Sequence, residues 1–291
     1  MPVPKMVSVV IPARNAAATI GAQLAALADQ RFDGDWEVIV VDNGSTDATV
    51  ATAESWAPRL PRLRVIAATT RAGAGHARNV GAAAAAGDLL AYCDADDEAT
   101  PGWLSAIVEE AATSDLVGGP LDDERLNDDV IPQWRPRPPT DELPVVQHFL
   151  PATASANLAI RRSVLTAVGG WCEDYRTGYE DVELCWRAQL AGHQLGFAPD
   201  AVMAYRYRPE LRAFACQQYG YGVMAPRLFR DFRHHGMPRS DLRTALGAWK
   251  WLLVHLPDVR RSRVQRGVWV RILATRVGRL VGSVRHRVFF P

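Results

Sequence analysis

The sequence predicts an open α/β sheet, mostly parallel and flanked by helices, followed by a helical appendage at the C-terminal end. Short apolar runs alternate with helical patterns through the first 112 residues, which is typical of parallel strands joined by crossover helices. Polar residues follow each apolar run, where ligands bind at the carboxyl ends of parallel strands. We therefore expect a ligand-binding domain over residues 1–208 and a helical, basic region over residues 209–291.

Four strand–helix units are expected in the first part of the chain. Apolar, often β-branched runs predict strands over residues 7–11, 36–41, 64–67 and 89–93. Apolar or alanine-rich helical patterns predict helices over residues 16–29, 47–56, 75–86 and 101–112. Ser45 or Thr46 is the expected N-cap of the second helix. Thr100 is the expected N-cap of the fourth helix, with Pro101 at its first position.

The pattern is less regular after residue 112. The segment 132–144 contains five prolines and predicts a loop, which is either a lid over a site or an irregular crossing. Further on we expect a strand over 155–160, a short helix over 162–168, a helix reaching residue 191 and a strand over 201–208. Glu183 and Arg187 lie four apart on the longer helix, which predicts a salt bridge on its surface.

The composition is that of an ordinary globular chain. Of the 291 residues, 48% are hydrophobic and 22% are charged, which supplies ample material for a core. No stretch reaches the roughly 18 uninterrupted apolar residues of a spanning helix, and the run 7–11 is too short for a signal peptide. The four cysteines have no metal-binding spacing, so we interpret them as thiols in a reducing cytoplasm. The expected location is therefore cytoplasmic.

The net charge of +1 conceals an acidic body and a basic tail. Residues 246–291 contain ten basic residues and one acidic residue, a net charge of +9, which leaves −8 for the rest. The tail carries two apolar helical stripes, one formed by Leu242, Leu246, Trp249, Leu253 and Leu256 and the other by Trp269, Ile272, Leu273, Val277, Leu280, Val281 and Val284. Such helices either lie peripherally on the anionic inner face of a membrane or pack against the domain or a second copy, as in a homodimer. Nucleic acid is disfavoured as a partner because the body is acidic.

Asp94, Asp96 and Asp97 directly follow the fourth apolar run. In an extended chain residues two apart share a side, so Asp94 and Asp96 are expected to converge while Asp97 turns away. Two neighbouring carboxylates repel each other unless a cation lies beside them, and magnesium or manganese takes carboxylates together with phosphate oxygens. The pattern predicts a metal-held phosphate; the alternative is an acidic turn that caps the next helix.

Polar clusters follow the other three predicted strands as well. Arg14 and Asn15 come after the first strand, the segment 42–47 after the second, and Arg71 with a glycine-rich turn after the third. Their shared position at one sheet edge predicts a nucleotide crevice. The glycine spacing differs from the dinucleotide-binding G-x-G-x-x-G pattern, so a dehydrogenase is disfavoured. Arg78, just beyond the turn, either faces a phosphate or lies on the helix surface.

Glu180 and Asp181 open the helix that reaches residue 191. Their charges either favour the positive end of the helix, or one of them serves as a general base. A carboxylate partly buried beside an aromatic side chain such as Trp171 would have a raised pKa, which suits base catalysis.

Taken in order, these motifs resemble glycosyltransferase family 2. The resemblance runs from about residue 7 to residue 200 and rests on the segments 8–15 (SVVIPARN), 41–47 (VDNGSTD), 75–87, 94–97 (DADD), 169–171 (GGW) and 180–184 (EDVEL). It implies a GT-A fold and an inverting transfer of a sugar from a nucleoside-diphosphate sugar to a hydroxyl acceptor. That acceptor would be a glycan, a lipid-linked molecule or a small molecule.

The resemblance also implies roles for individual residues on the donor side. Pro12, Arg14 and Asp42 would hold the nucleoside, with Asp42 meeting the base. Arg78 would approach the donor, and Asp94 would lie near the ribose.

On the reacting side, the resemblance implies that Asp96 binds a divalent metal, manganese or magnesium. Asp181 would be the general base. Glu180 would support the acceptor pocket, and Trp171 would line it.

The chain departs from the family pattern at one point. Many relatives place a histidine on the strand after the base helix, where it touches the metal or the diphosphate, but residues 201–208 contain none. Arg206 or Arg208 is the candidate to neutralise the diphosphate instead.

Two other function classes remain open: a nucleotidyltransferase on a similar sheet and a non-catalytic, membrane-associated module. The first needs a cation at the triphosphate, typically lysine, but the two lysines, Lys5 and Lys250, lie away from the strand ends. The complete set of Asp94, Asp96 and Asp181 argues against the second.

Overall fold

A seven-stranded sheet organises the N-terminal part of the computed structural model, which describes residues 2–60, 62–137 and 139–291. In chain order the strands are β1 (Met6–Ala13), β2 (Asp35–Asp42), β3 (Arg64–Ala67), β4 (Leu89–Tyr92), β5 (Glu98–Ala99), β6 (Leu116–Gly118), β7 (Leu121–Asp122), β8 (Val145–Val146), β9 (Leu150–Pro151), β10 (Leu158–Arg161), β11 (Leu195–Phe197) and β12 (Met203–Ala204). The α-helices are α1 (Ile20–Ala28), α2 (Thr49–Glu54), α3 (Ala74–Ala84), α4 (Trp103–Glu110), α5 (Arg162–Ala167), α6 (Glu180–Leu190), α7 (Leu211–Phe232), α8 (Leu242–Val254) and α9 (Arg263–Arg285).

The large sheet has the strand order β11-β6-β10-β4-β1-β2-β3. Strand β10 runs antiparallel to both neighbours, and the other pairs are parallel. The predicted mostly parallel α/β sheet with C-terminal helices is therefore confirmed. A small sheet of the order β5-β12-β7 and the β8–β9 hairpin were not predicted.

Helices cover both faces of the sheet. Successive residues of each central strand point to opposite sides and so belong to two different clusters. On one face Val7, Val9 and Ile11 pack with residues of α1 and α4. On the other face Val10 belongs to a cluster that includes residues of α3, α6 and α7 and extends to Phe290. The C-terminal region thus shares a core with the sheet. The domain boundary predicted at residue 208 falls between β12 and α7 and stays a prediction.

Turn chemistry differs from the prediction at two helix starts. Ser45 and Thr46 do not cap α2; instead the Asp47 carboxylate accepts a hydrogen bond at 3.1 Å from the N–H of the first α2 residue. Thr100 does not cap α4, because its hydroxyl donates to the Val202 carbonyl at 2.8 Å. That contact follows from the pairing of β5 with β12, which the sequence did not reveal.

Two predicted strands are shorter than expected. The strand predicted over residues 155–160 begins at Leu158, because Ser155–Asn157 forms a 3-10 turn. The strand predicted over residues 201–208 is reduced to β12. The chain after β12 turns toward the acidic residues that follow β4, and the Arg206 N–H donates to the Asp97 carboxylate at 2.8 Å.

The salt bridge between Glu183 and Arg187 is confirmed, with 2.7 Å between Arg187 Nε and Glu183 Oε1. Its predicted place on the surface is wrong, because Glu183 is only 7% exposed. Arg187 also donates to the carbonyls of Val168 and Gly170, so the pair ties α6 to the end of α5.

Helices α7 and α9 approach each other closely through glycines. A Cβ atom added at Gly278 would lie 2.4 Å from the Tyr219 carbonyl oxygen, and one at Gly282 would lie 2.3 Å from the Val223 carbonyl oxygen. Only glycine therefore allows the two backbones to come this close. These glycines weaken an isolated helix, but here they form the face with which α9 packs.

The apolar stripes of the C-terminal helices are exposed in part, because Trp249, Trp269, Ile272 and Leu273 are half-buried. The exposed fraction is 61% for Leu246 and 76% for Leu253 on α8, and 82% for Val284 on α9. For these exposed side chains, a membrane surface or a second copy remains of the predicted alternatives. Within the part of the chain that the structure describes, no helix combines the length and the apolar character needed to cross a bilayer.

Replacing Gly278 by valine should lower the free energy of unfolding by about 1–3 kcal/mol, because the new side chain overpacks the α7–α9 contact. The matched change is Gly247→Ala on α8, where nothing lies within 4 Å of the added methyl group. It should raise the free energy of unfolding by about 0.5–1 kcal/mol. Urea unfolding measures both changes. Equal stability of Gly278→Val and the wild-type protein would contradict the packing.

Candidate active site

Three carboxylates collect at the carboxyl end of β4. Asp94, Asp96 and Asp97 can each place a carboxylate oxygen within 4.8 Å of the other two. The prediction that Asp97 turns away is wrong, because the chain bends into a turn after β4 and the two-residue alternation of a strand no longer applies. Carboxylate oxygens grouped in this way suit magnesium or manganese.

Asp97 is the residue that most favours a cation at this cluster. Its side chain is buried, with 1% of the residue exposed. One carboxylate oxygen accepts the Arg206 N–H, while Oδ2 is buried and has no hydrogen-bond partner among the described residues. An unpaired carboxylate oxygen is costly away from water, so the residues present fit a metal ion.

The acidic cluster is electrostatically unbalanced by itself. Burial and the charge of Asp94 raise the pKa of Asp96 to about 6. Burial, together with the charges of Asp94 and Asp96, raises the pKa of Asp97 well above its usual range. Arg208 and Arg206 act in the opposite direction on the pKa of Asp96 without cancelling the shift. Arg206 Nε also donates to the Asp96 carbonyl at 2.9 Å. Of the two arginines predicted to replace a histidine, Arg206 therefore contacts the cluster, and Arg208 acts on it through its charge.

Arg78 joins the acidic cluster to the start of α6. It is only 2% exposed, and its guanidinium donates to Asp94 at 3.1 Å, to Glu180 at 2.9 Å and to the Ser155 hydroxyl at 2.7 Å. Burial alone would lower the pKa of Arg78, but the charges of Asp94 and Glu180 raise it. The alternative of an arginine on the helix surface is therefore wrong, and Arg78 is a buried bridge.

Asp181 lies in the first turn of α6 and is half-buried. Its two oxygens accept hydrogen bonds from the N–H groups of Ser155 at 3.1 Å and Val182 at 2.8 Å. Burial and the neighbouring charge of Glu180 nevertheless raise its pKa to about 7. A carboxylate with a pKa near neutrality can accept a proton in its charged form and hold it, as a general base must.

The aromatic surroundings of Asp181 differ from the expectation. Trp171 is only 2% exposed and is covered by Arg78, whose guanidinium carbon lies 4.8 Å from the centre of the ring. Tyr179 and Tyr221 were not predicted; their rings are 5.8 Å apart, and burial with the charge of Asp181 raises the pKa of both. The lining role predicted for Trp171 stays a prediction, and the two tyrosines are further candidates for it.

The residues predicted to hold the nucleoside lie at the ends of β1 and β2. Pro12 and Asp42 occupy neighbouring positions of the parallel ladder, and Arg14 follows β1 as an exposed side chain. The Asp42 carboxylate accepts the Ser45 N–H at 3.1 Å, which fixes the turn after β2. Because β1 also pairs with β4, these residues share a sheet edge with the acidic cluster, as predicted. Their contacts with a nucleoside stay predictions.

Ser155 is the site residue that sequence reasoning missed. Its hydroxyl accepts a hydrogen bond from Arg78, and its N–H donates to Asp181. The sequence placed it inside a strand, and no motif marks it. Only the 3-10 turn before β10 brings it between the two elements.

Comparisons with known proteins identify the family. The family model described as Glycosyl transferase family 2 matches residues 8–169, and that of Glycosyl transferase family group 2 matches residues 146–280. The chain is 28% identical over 285 residues to the glycosyltransferase AglE of Haloferax volcanii, which covers 92% of this chain and 90% of that protein. It is 30% identical over 251 residues to a pre-mycofactocin glycosyltransferase of Mycobacterium tuberculosis, covering 84% of this chain and 52% of that one. The chain therefore spans about half the length of the mycobacterial relative.

Solved structures show the same fold. The mannosyltransferase PcManGT from Pyrobaculum calidifontis, in complex with GDP-Man and Mn2+, superposes with a TM-score of 0.63 at 20% identity, covering 96% of this chain and 88% of that one. Glucosyl-3-phosphoglycerate synthase from Mycobacterium tuberculosis, in complex with Mn2+, UDP and glucosyl-3-phosphoglycerate, gives a TM-score of 0.51 at 23% identity, covering 76% and 79%. At these identities the likeness concerns the fold alone.

The raised pKa values predict that stability falls as the pH rises. Asp96 and Asp181 keep protons in the folded state at pH values where an unfolded aspartic acid, with a pKa of 3.8, has lost them. Between about pH 4 and pH 7 these two groups bind more protons in the folded state than in the unfolded state, so their contribution to the free energy of unfolding should decrease with pH.

Urea unfolding in EDTA, at about pH 5 and about pH 7.5, measures this decrease. Asp96→Asn should make the decrease smaller, because asparagine has no proton to lose. The exposed Asp33→Asn is the matched control and should leave the decrease unchanged. A decrease that is as large in Asp96→Asn as in the wild-type protein would contradict the assignment.

Proposed function

The chain belongs to glycosyltransferase family 2, and we propose that it is a metal-dependent enzyme that transfers a sugar, with inversion, to a hydroxyl acceptor. Glycosyltransferase activity with a nucleotide-sugar donor follows from the family match and from the relatives with which it shares sequence. The alternatives of a nucleotidyltransferase and of a non-catalytic module are thereby set aside.

One observation carries the finer proposal: Arg78 joins the carboxylate cluster after β4, through Asp94, to the start of α6, through Glu180. On one side, the pKa values of Asp96 and Asp97 stay raised despite the positive charge of Arg206, and Asp97 Oδ2 has no hydrogen-bond partner among the described residues. On the other side, Asp181 has a pKa near neutrality. The grouped carboxylates with an unpaired buried oxygen suit a cation, whereas a single carboxylate that two N–H groups hold in place suits a general base.

On the donor side, Asp96 and Asp97 would be the main ligands of manganese or magnesium, since Asp94 already pairs with Arg78. Such an ion, when bound, supplies positive charge against the diphosphate and so makes the nucleoside diphosphate a better leaving group, an effect worth several kcal/mol. The solved relatives that contain Mn2+ together with GDP-Man or UDP support this choice of cofactor. Arg206 and Arg208 would add positive charge from the protein.

The nucleoside would lie along the shared edge of β1, β2 and β4. Pro12, Arg14 and Asp42 would hold it, with Asp42 meeting the base. Asp94, kept in place by Arg78, would be close to the ribose.

On the acceptor side, Asp181 would take the proton of the attacking hydroxyl. Its two N–H contacts hold the carboxylate in one orientation, so that one face of the donor sugar is attacked. A single displacement from that face inverts the anomeric centre. Glu180, which is fixed by Arg78, would support the acceptor pocket, and Trp171 would stabilise Arg78 from behind.

Asp181→Asn should abolish most of the transfer while leaving donor binding nearly intact, because asparagine keeps the shape but cannot accept the proton. General-base catalysis is worth roughly 100- to 10,000-fold. Release of nucleoside diphosphate in the presence of manganese measures the rate, and calorimetry measures donor affinity. Leu190→Ala, an exposed position at the far end of α6, is the matched control. A loss of less than about tenfold would assign the base to another residue.

We also infer that the tail holds the enzyme on the anionic, cytoplasmic face of a membrane. The exposed stripe of Leu242, Leu246 and Leu253 runs along α8 beside the exposed basic residues Arg243 and Lys250. An apolar stripe flanked by positive charge fits an anionic lipid surface. The same location would suit a lipid-linked acceptor.

The double variant Leu246→Gln/Leu253→Gln should lose binding to anionic vesicles, since it removes apolar area that inserts into the lipid. Val145→Gln, an equally exposed valine outside the tail, is the control and should bind like the wild-type protein. Co-sedimentation at low and high salt measures binding, which salt should weaken. The outcome that would contradict membrane binding is a wild-type protein that stays in the supernatant with anionic lipid. If that protein is also a dimer in solution and the double variant is a monomer, the stripe forms an interface with a second copy instead.

A further inference from the structure

Arg135 and Arg271 are half-buried arginines that have no role in the proposed transfer reaction. Arg135 follows the 3-10 turn Pro132–Trp134, and Arg271 on α9 donates through Nε to the Trp134 carbonyl at 3.0 Å. Neither forms an ion pair within the described ranges of the chain. Asp123, whose charge raises the pKa of Arg135, accepts a hydrogen bond from the Tyr207 hydroxyl at 3.3 Å and pairs with Arg137 at 3.9 Å.

Aromatic rings contact the guanidinium of Arg135, and one edge of the group forms no hydrogen bond with the described residues. Its carbon atom lies 3.8 Å from the centre of the Tyr207 ring and 4.8 Å from that of Phe214. Nε and Nη2, which share one edge of the group, are buried and have no hydrogen-bond partner in the residues described. Two parallel N–H donors on one guanidinium edge match two oxygens of a phosphate.

The two arginines also oppose each other electrostatically. Burial lowers the pKa of both, and the charge of Arg135 further lowers the pKa of Arg271. Two like charges held together away from water are unfavourable unless an anion lies between them. The stacked aromatic rings keep Arg135 in place. Because Nε and Nη2 are buried, an anion that binds this edge would have to displace neighbouring side chains.

Two tyrosines connect this arginine pair to the active site. The pKa of Tyr221 is raised by burial and by the charge of Asp181, and the pKa of Tyr205 is raised by burial, by Tyr221 and by Asp97. Both tyrosines in turn act on the pKa of Arg135. By geometry, Arg135 stacks on Tyr207, whose ring lies 5.2 Å from that of Tyr205, and the Tyr221 ring lies against Gly178, two residues before α6 begins. The arginine pair is thus connected by packed aromatic rings to the elements that carry both carboxylate groups.

We propose that Arg135 and Arg271, together with the hydroxyls of Tyr205 and Tyr221, form a subsite that binds a phosphate group of the acceptor. This inference rests on the proposed function and narrows it to acceptors that carry a phosphate near the reacting hydroxyl.

The acceptor is favoured over the donor as the source of the phosphate. The diphosphate of the donor belongs over the acidic cluster, where a metal ion, Arg206 and Arg208 supply positive charge. The charge of Arg135 instead lowers the pKa of Tyr221, whose ring lies against Gly178 in the turn that leads into α6. A phosphate held there would place an acceptor hydroxyl on the side of the base.

Calorimetry with inorganic phosphate in metal-free, low-salt buffer tests the subsite. The wild-type protein should bind phosphate, and Arg135→Gln and Arg271→Gln should each weaken that binding about tenfold or more, as expected for loss of a charged hydrogen bond. Arg212→Gln removes an exposed arginine of α7 and should leave phosphate affinity within about twofold. Arg135→Lys, which keeps the charge without the fork, should fall between these results. Far-ultraviolet circular dichroism verifies that each variant is folded. If Arg135→Gln is unfolded, the phosphate affinity of Arg271→Gln tests the proposal.

A second arm separates the two sources of phosphate. Nucleoside diphosphate with manganese should bind Arg135→Gln within about threefold of the wild-type affinity, because the acidic cluster is untouched. An equal loss of nucleoside diphosphate and phosphate binding would assign the arginines to the donor and overturn the proposal. Phosphate binding that is absent from the wild-type protein, or that Arg212→Gln weakens as much, would also overturn it. Failure of nucleoside diphosphate to bind the wild-type protein would instead contradict the proposed function. The affinity for inorganic phosphate would then still test the subsite.

Discussion

The buried guanidinium of Arg78 is the interaction on which the active site depends. It comes from α3 and contacts Asp94 after β4, Glu180 on α6 and Ser155 before β10. Its single positive charge lies between two carboxylates in the protein interior, where an unpaired charge is costly. This bridge joins the acidic cluster to the helix that carries Asp181. In the proposed function, one side chain would thereby hold the groups on both sides of the donor sugar.

Beyond Arg78, the site keeps charges that the protein itself does not balance. The raised pKa values of Asp96 and Asp181 and the unpaired oxygen of Asp97 all represent stability that the folded chain forgoes. The unpaired edge of Arg135 represents a similar cost in stability, here at a positively charged group. A cation on one side and a phosphate on the other would relieve both. Ligands that bind the folded chain at these two places would therefore raise its stability.

The C-terminal helices show how packing can reverse the meaning of a sequence pattern. An apolar stripe usually marks the buried face of a helix, yet α9 is buried through Gly278 and Gly282 while Val284 is exposed. Because glycine lets two backbones approach closely, the α7–α9 contact needs no large side chains. The leucines and valines are left for an external surface.

The sequence by itself determined the parallel sheet, the order of its strands and helices along the chain, and the polar residues at one sheet edge. These features are local, because apolar runs and helical periods depend on neighbouring residues, and parallel strands must end at the same edge. Only the tertiary structure decided that Asp97 joins the cluster, that Ser155 lies between Arg78 and Asp181, and that Arg135 has no carboxylate partner among the described residues. Such contacts join residues far apart in the chain across turns whose direction no periodic pattern encodes, so they exist only once the whole sheet and its helices have packed.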